Sequence, residues 1–214
     1  MGYSYVGATP LVVSDHITFH INPHGLPNGL TEEEYFNLRE KTVGNFGFQN
    51  AQNRSPDTVY FKWMILRNIQ ALRWAKKLKG WDGKNIQIVG GSMGAFQSLA
   101  VASLCPEVTQ LYIHVPWMCD LGGVLKNRLP GWRPEIKEGD TILEGIRYYD
   151  TVAFGRRIQC PVQIYAGLGD YICPPSSVAV LYNSIHTKKR IEWQQNRTHT
   201  FDYPPEMGIY VLEA

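Results

Sequence analysis

Asn85-Ile86-Gln87-Ile88-Val89-Gly90-Gly91-Ser92-Met93-Gly94 decides how this chain is read. The apolar run from Asn85 to Val89 has the composition of a short buried strand. It leads directly into Gly90-x-Ser92-x-Gly94. Ala95 to Leu104 follows as a helix rich in small and apolar residues, closed by Pro106. Strand, G-x-S-x-G and helix in that order form a nucleophile elbow. The serine sits on a sharp, strained turn that projects its Oγ into a site, and its neighbours are small because the backbone crowds there. The helix beginning just after it aims its N-terminus at developing negative charge. The pattern alone is weak. With 20 Gly in the chain, on the order of one sequence in ten of this composition carries it by chance. The flanking strand and helix separate it from a glycine-rich turn with a surface serine.

Around this centre, strands and helices alternate. Strands are expected near 17–21, 85–89, 109–115, 161–166 and 190–194. The helix from about Thr58 to Lys79 has its stripe at Ile65, Ile69, Leu72, Ala75 and Leu78. Further helices are expected over Arg147–Arg157 and Ser176–Ile185. Thr31 with Glu34 three residues on marks another helix start. Residues 119–145 read as an irregular excursion over the site. Such alternation predicts an α/β fold: a mostly parallel sheet with helices on both faces, in one domain over 1–214.

Composition narrows the function classes. A chain of 214 residues, 44% hydrophobic and 19% charged, is globular rather than disordered or collagenous. A formal charge of +2 with no basic stripe gives no reason to expect a nucleic-acid partner. No apolar run reaches the roughly 18 residues of a membrane span. The N-terminal MGYSYVGATPLVV has no basic n-region of a signal peptide, and the sequence leaves the compartment open. Cys105, Cys119, Cys160 and Cys173 are scattered, without a C-x-x-C pair, and read as buried thiols rather than metal ligands.

A nucleophilic serine needs a base, and the base needs an orienting acid, in the chain order Ser, Asp or Glu, His. His16, His20 and His24 lie upstream, and His16 and His20 fall in the strand-like run rather than on a metal-binding helix face. His114 is mid-strand, and His186 ends a helix beside Lys188 and Lys189. His199 alone follows the last expected strand in a loop. For the acid, Asp170 in a Gly-rich turn after the 161–166 strand is preferred to its rival Asp120, because its strand lies nearer that of His199.

Four stretches carry a resemblance: Gly90 to Gly94; Val115-Pro116-Trp117-Met118-Cys119-Asp120; Tyr148-Tyr149-Asp150 through Arg157-Ile158-x-Cys160-Pro161-Val162; and Gly167-Leu168-Gly169-Asp170-Tyr171-Ile172-Cys173-Pro174-Pro175-Ser176. Together they resemble carbohydrate esterase family seven, the acetyl xylan esterase and cephalosporin-C deacetylase group of the α/β-hydrolase superfamily. The likeness extends over most of 17–204. It implies Ser92 as nucleophile, Asp170 as acid and His199 as base, with the Met93 backbone N–H in the oxyanion hole. It implies no metal or cofactor, an acetyl ester of a small molecule or oligosaccharide as substrate, and a tendency to oligomerise. Met93 departs from the family's usual Gln, and Thr198 and Thr200 replace glycines beside the histidine. Five expected strands fall short of the eight of a full hydrolase sheet. The chain is therefore expected to be truncated at its front, without the loop that supplies a second oxyanion N–H. Two other readings stay open: an inactive remnant of the fold, and a peptidase or thioesterase on the same fold.

Overall fold

A computed structural model describes residues 15–22, 24–27, 29–42, 53–136, 142–199 and 209–214. Its sheet has five strands: β1 (Gln87–Gly91), β2 (Gln110–His114), β3 (Val162–Gly167), β4 (Lys189–Gln194) and β5 (Ile209–Glu213), in the spatial order β1-β2-β3-β4-β5. The first four are parallel, with Gly91 opposite His114 and Ala166 opposite Trp193. β5 runs antiparallel against β4. Among the described residues there are six α-helices, the first two before β1: α1 (Glu32–Thr42), α2 (Tyr60–Ala75), α3 (Met93–Leu104), α4 (Ile142–Ile146), α5 (Thr151–Gly155) and α6 (Pro175–Ser184). None is long and apolar enough to cross a membrane among the described residues.

Alternation along the strands sets the layers. Leu111, Ile113, Val162, Ile164 and Ile191 are buried in one core with Phe96 and Leu99 of α3 and Val178 and Leu181 of α6. Phe61, Phe96 and Trp117 pack edge to face within that core, which ties α2 to α3. The residues between them, among them Tyr112, His114, Gln163 and Tyr165, are half-buried on the opposite face, where His114 stacks on Tyr165. α2, α3, α5 and α6 contribute to that core, whereas α1 packs in a separate small cluster through Tyr35 against Leu26.

Two expectations need correction. Residues 17–21 carry β-branched and aromatic side chains, but they pair with no described strand and form no element. Composition supplied extended propensity, and only a partner's ladder would have made a strand of it. β5 was not anticipated, although Ile209-Tyr210-Val211-Leu212 carries the residue types of a strand. The expected 147–157 helix is split into a 3₁₀ turn at Arg147–Tyr149 and α5, at Asp150. The Asp150 carboxylate accepts the N–H of Val152 to cap α5, and also those of Asp120 and Leu121. Thr31 and Glu34 form the reciprocal cap: Glu34 Oε2 accepts the Thr31 N–H at 2.8 Å, and Thr31 Oγ1 accepts the Glu34 N–H at 3.3 Å.

β1 has a strand partner on one side. Its other side borders a cavity of about 690 Å³, walled by α2, residues 17–21 and Trp81, which extends to Gly91, Met93 and Gly94.

Candidate active site

Ser92 lies between β1 and α3 with φ 51° and ψ −116°, a conformation that L-residues rarely adopt. Three backbone bonds hold it there. Its N–H donates to His114 O at 2.9 Å, and its carbonyl accepts from Phe96 N at 3.1 Å and Trp117 N at 3.3 Å. The two motif glycines are not equivalent. A Cβ on Gly90 would lie 2.5 Å from the Gly94 carbonyl carbon and from Ser98 Oγ. A Cβ on Gly94 would meet nothing within 4 Å. The crowding expected on both sides of the serine is thus present on one. Gly94 faces the cavity outside β1.

Ser92, His199 and Asp170 come together. Ser92 Oγ is 3.0 Å from His199 Nε2, and His199 Nδ1 is 3.0 Å from Asp170 Oδ2. The Asp170 side chain is wholly buried. Its other oxygen, Oδ1, accepts the N–H groups of Ile172 and Cys173, each at 2.8 Å. Those bonds satisfy a buried carboxylate and aim its free oxygen at the imidazole. Asp120 is employed elsewhere: it forms a two-pronged ion pair with Arg128 through Nε and Nη2.

The three loops that carry these residues brace one another. The loop after β2 holds Val115, Met118 and Asp120 at positive φ, and Val115 N donates to Tyr165 O. Gly131, with φ 59°, packs against Ile172 and Pro174. Trp132 N donates to Ile172 O at 2.8 Å, and Trp117 Nε1 donates to Trp132 O. Gly131 and Trp132 of the excursion therefore clamp the turn that holds Asp170. On the far side, Gly169 N donates to Arg197 O at 3.0 Å, and a Cβ on Gly167 would lie 2.8 Å from Arg197 C. The His199 loop thus rests on the glycines before Asp170. Arg197 is buried, and Asp170 lies close enough to offset part of the cost of burying its charge.

Cys173 is the site residue that the sequence reading passed over. Burial pushes its thiol pKa well up. Ligand atoms of Asp170, Cys173 and His199 all lie within 4.8 Å of one another, a set with the donor types of a metal site. The Asp-x-x-Cys spacing was the available signal. What it left out was the turn that returns residue 173 to the acid. His114 is held below the usual imidazole pKa, first by burial and then by the Arg197 charge. His186 is exposed, and His114 meets Ser92 through its backbone carbonyl.

Comparison with known proteins bears on the whole arrangement. The chain is 32% identical over 178 residues to the acetyl esterase Axe7A of Xylanibacter ruminicola, an alignment covering 81% of this chain and 40% of that one. Among solved structures it resembles an acetyl xylan esterase from Paenibacillus sp. R4, with TM-score 0.66 and 22% identity. It also resembles acetyl xylan esterase 1 from Thermoanaerobacterium sp. JW/SL YS485, with TM-score 0.64 and 24% identity. Each match covers 73% of this chain and 53% of the other. An acylaminoacyl peptidase from Pyrococcus horikoshii shares the fold at TM-score 0.51 and 14% identity, over 71% of this chain and 25% of that one. The chain spans about half the length or less of these relatives. The acetyl xylan esterase (AXE1) family model matches residues 16–204, and with that match the chain belongs to the acetyl xylan esterase family, on an α/β-hydrolase fold.

Proposed function

We propose that this chain is the nucleophile-bearing part of an esterase that removes acetyl groups from carbohydrate esters through an acyl-enzyme. The observation that carries the reading is the relay Ser92 Oγ–His199–Asp170, with both contacts at 3.0 Å, in a member of the acetyl xylan esterase family. Asp170 accepts the Nδ1–H of His199, which leaves the Nε2 lone pair facing Ser92. His199 takes the Ser92 proton as Oγ attacks the acetyl carbonyl carbon. The N–H of Met93, the first residue of α3, has no carbonyl one turn back to bond, and it receives the oxyanion. His199 then gives its proton to the departing sugar hydroxyl. Water, deprotonated by the same imidazole, releases acetate and restores Ser92.

The cavity along β1 favours a second reading, that of an impaired remnant. Among the described residues, one wall of the elbow, at Met93 and Gly94, borders this cavity. Loss of one such donor typically costs about 10²–10³ in rate. A fluorophosphonate probe separates the two. An active site labels at Ser92 and hydrolyses p-nitrophenyl acetate, and Ser92→Ala loses both. A folded chain that neither labels nor turns over is the remnant. Turnover that survives Ser92→Ala removes Ser92 as the nucleophile. Rates on acetylated xylan, short acyl esters and aminoacyl amides then place the substrate among esters or amides.

A further inference from the structure

We propose that Gln97, tied to Asn68, is a positioning residue for the oxyanion donor Met93: its side-chain amide anchors the first turn of α3 to α2. The role rests on the esterase reading. Gln97 lies on α3, one turn after Met93, and is only 7% exposed. Its Nε2 donates to Met93 O at 3.2 Å, and its Oε1 accepts from Asn68 Nδ2 of α2 at 2.6 Å. Both ends of the amide are therefore used. The Met93 carbonyl can only accept, which fixes the way the amide points. A buried amide is costly unless it is bonded. The neighbouring buried residues of α3, Ala95, Phe96, Leu99 and Ala100, are apolar, so packing alone gives no reason for a carboxamide here.

The pair sits where the elbow has least packing. Asn68 and Gln97 line the cavity outside β1 together with Met93 and Gly94, and a Cβ on Gly94 would meet nothing within 4 Å. The peptide that carries the Met93 N–H is held by its own carbonyl, Ser92 O, which accepts from Phe96 and Trp117. The next peptide joins Met93 to a glycine, and Gln97 holds it at Met93 O. Ser98 Oγ donates to Gly94 O at 2.8 Å, but that bond lies within α3 and moves with it. Gln97 instead carries the restraint across to α2. An N–H that drifts from the oxyanion position loses part of the stabilisation it gives the transition state. The ground-state ester uses that N–H far less, so the loss falls on kcat rather than on KM.

The test measures kcat and KM for p-nitrophenyl acetate on the full chain, per serine labelled by a fluorophosphonate. Gln97→Met keeps the length and removes both bonds. Gln97→Glu keeps an acceptor for Asn68 and removes the donor to Met93 O. Each is expected to lower kcat about tenfold at unchanged KM. Each should also weaken, by the same factor, a trifluoromethyl ketone that forms a tetrahedral adduct on serine. Asn68→Ala frees the far end of the amide and is expected to cost about threefold. Lys76→Met breaks the ion pair with Glu107, which joins α2 to the chain beyond α3, and keeps the wild-type kcat. Wild-type kcat in Gln97→Met overturns the role. So does a loss that Lys76→Met reproduces, or one that leaves the ketone's affinity unchanged, because the oxyanion donor is then not what moved. Should Gln97→Met fail to fold by circular dichroism, Gln97→Glu and Asn68→Ala decide. A wild-type chain that neither labels nor turns over removes the esterase reading, and the role of Gln97 with it.

Discussion

On the β3–β4 side of Ser92, Asp170 and the loop that carries His199 are each held by neighbours of their own. Asp170 is fixed by two backbone N–H groups, and the backbone of the His199 loop lies on Gly167 and Gly169. Trp132 and Gly131 close over the acid's turn. On the outer side of β1, the same elbow borders a cavity of about 690 Å³, and a side chain added at Gly94 would meet nothing. In the proposed relay little misplacement is tolerated, which accounts for the tight packing of Asp170 and His199. The flank that remains open is the one from which a second oxyanion donor would approach.

If the β3–β4 side is the catalytic one, the largest effect is on turnover. Asp170→Asn keeps the shape but presents the wrong hydrogen-bonding partner to His199, and kcat is expected to fall by about 10⁴. Asp120→Asn breaks only the Arg128 pair and is expected to leave kcat within about tenfold. Comparable losses from both variants would erase the distinction between the two acids.

Next come the glycines that let backbones touch. Gly90→Ala puts a methyl group 2.5 Å from the Gly94 backbone, and Gly167→Ala puts one 2.8 Å from that of Arg197. Each is expected to cost roughly 1–3 kcal/mol of stability in urea denaturation. Gly167→Ala should also lower kcat, because the shifted Arg197 loop carries His199. A fully stable, fully active Gly167→Ala protein would mean that the loop has slack.

These two glycines show how much of the site was legible. The elbow, Asp170 and His199 could be singled out from the sequence because each combines a chemical residue type with a position just past a strand. Gly94 looked as constrained as Gly90, because a motif does not say which side of a turn is occupied. Residues 17–21 looked like a strand for a related reason: pairing is a property of the neighbour, not of the segment. Val115 to Asp120 was recognisable as a stretch, but its role was not. Its strained φ values and its bonds to Ser92, Tyr165 and Asp150 exist only once three loops have met.

His24 supplies a pH test away from the relay. Burial first, and the charge of Arg67 second, lower its pKa from 6.5 to about 4, while its Nδ1 lies 2.8 Å from Tyr60 Oη. Its folded pKa is below its unfolded one, so between about 4 and 6.5 the unfolded chain binds the extra proton. Stability from this group is full above pH 6.5 and falls as the pH drops towards 4, by at most on the order of 3 kcal/mol. His24→Gln is expected to flatten that slope in denaturation series at pH 4.5 and 7. An unchanged slope would assign the acid sensitivity to other groups.

The smallest effect is the sharpest for the comparison. Gly94 lies in the first turn of α3 with open space where a Cβ would go. Replacing a helical glycine by alanine removes backbone freedom from the unfolded chain and is worth about 0.5–1 kcal/mol where no clash opposes it. Gly94→Ala is therefore expected to raise the urea midpoint slightly, opposite in sign to Gly90→Ala four residues earlier. If another segment fills the cavity in solution, the new methyl group meets it and the gain turns into a loss. The sign of this one substitution thus reports whether the outer side of β1 is open.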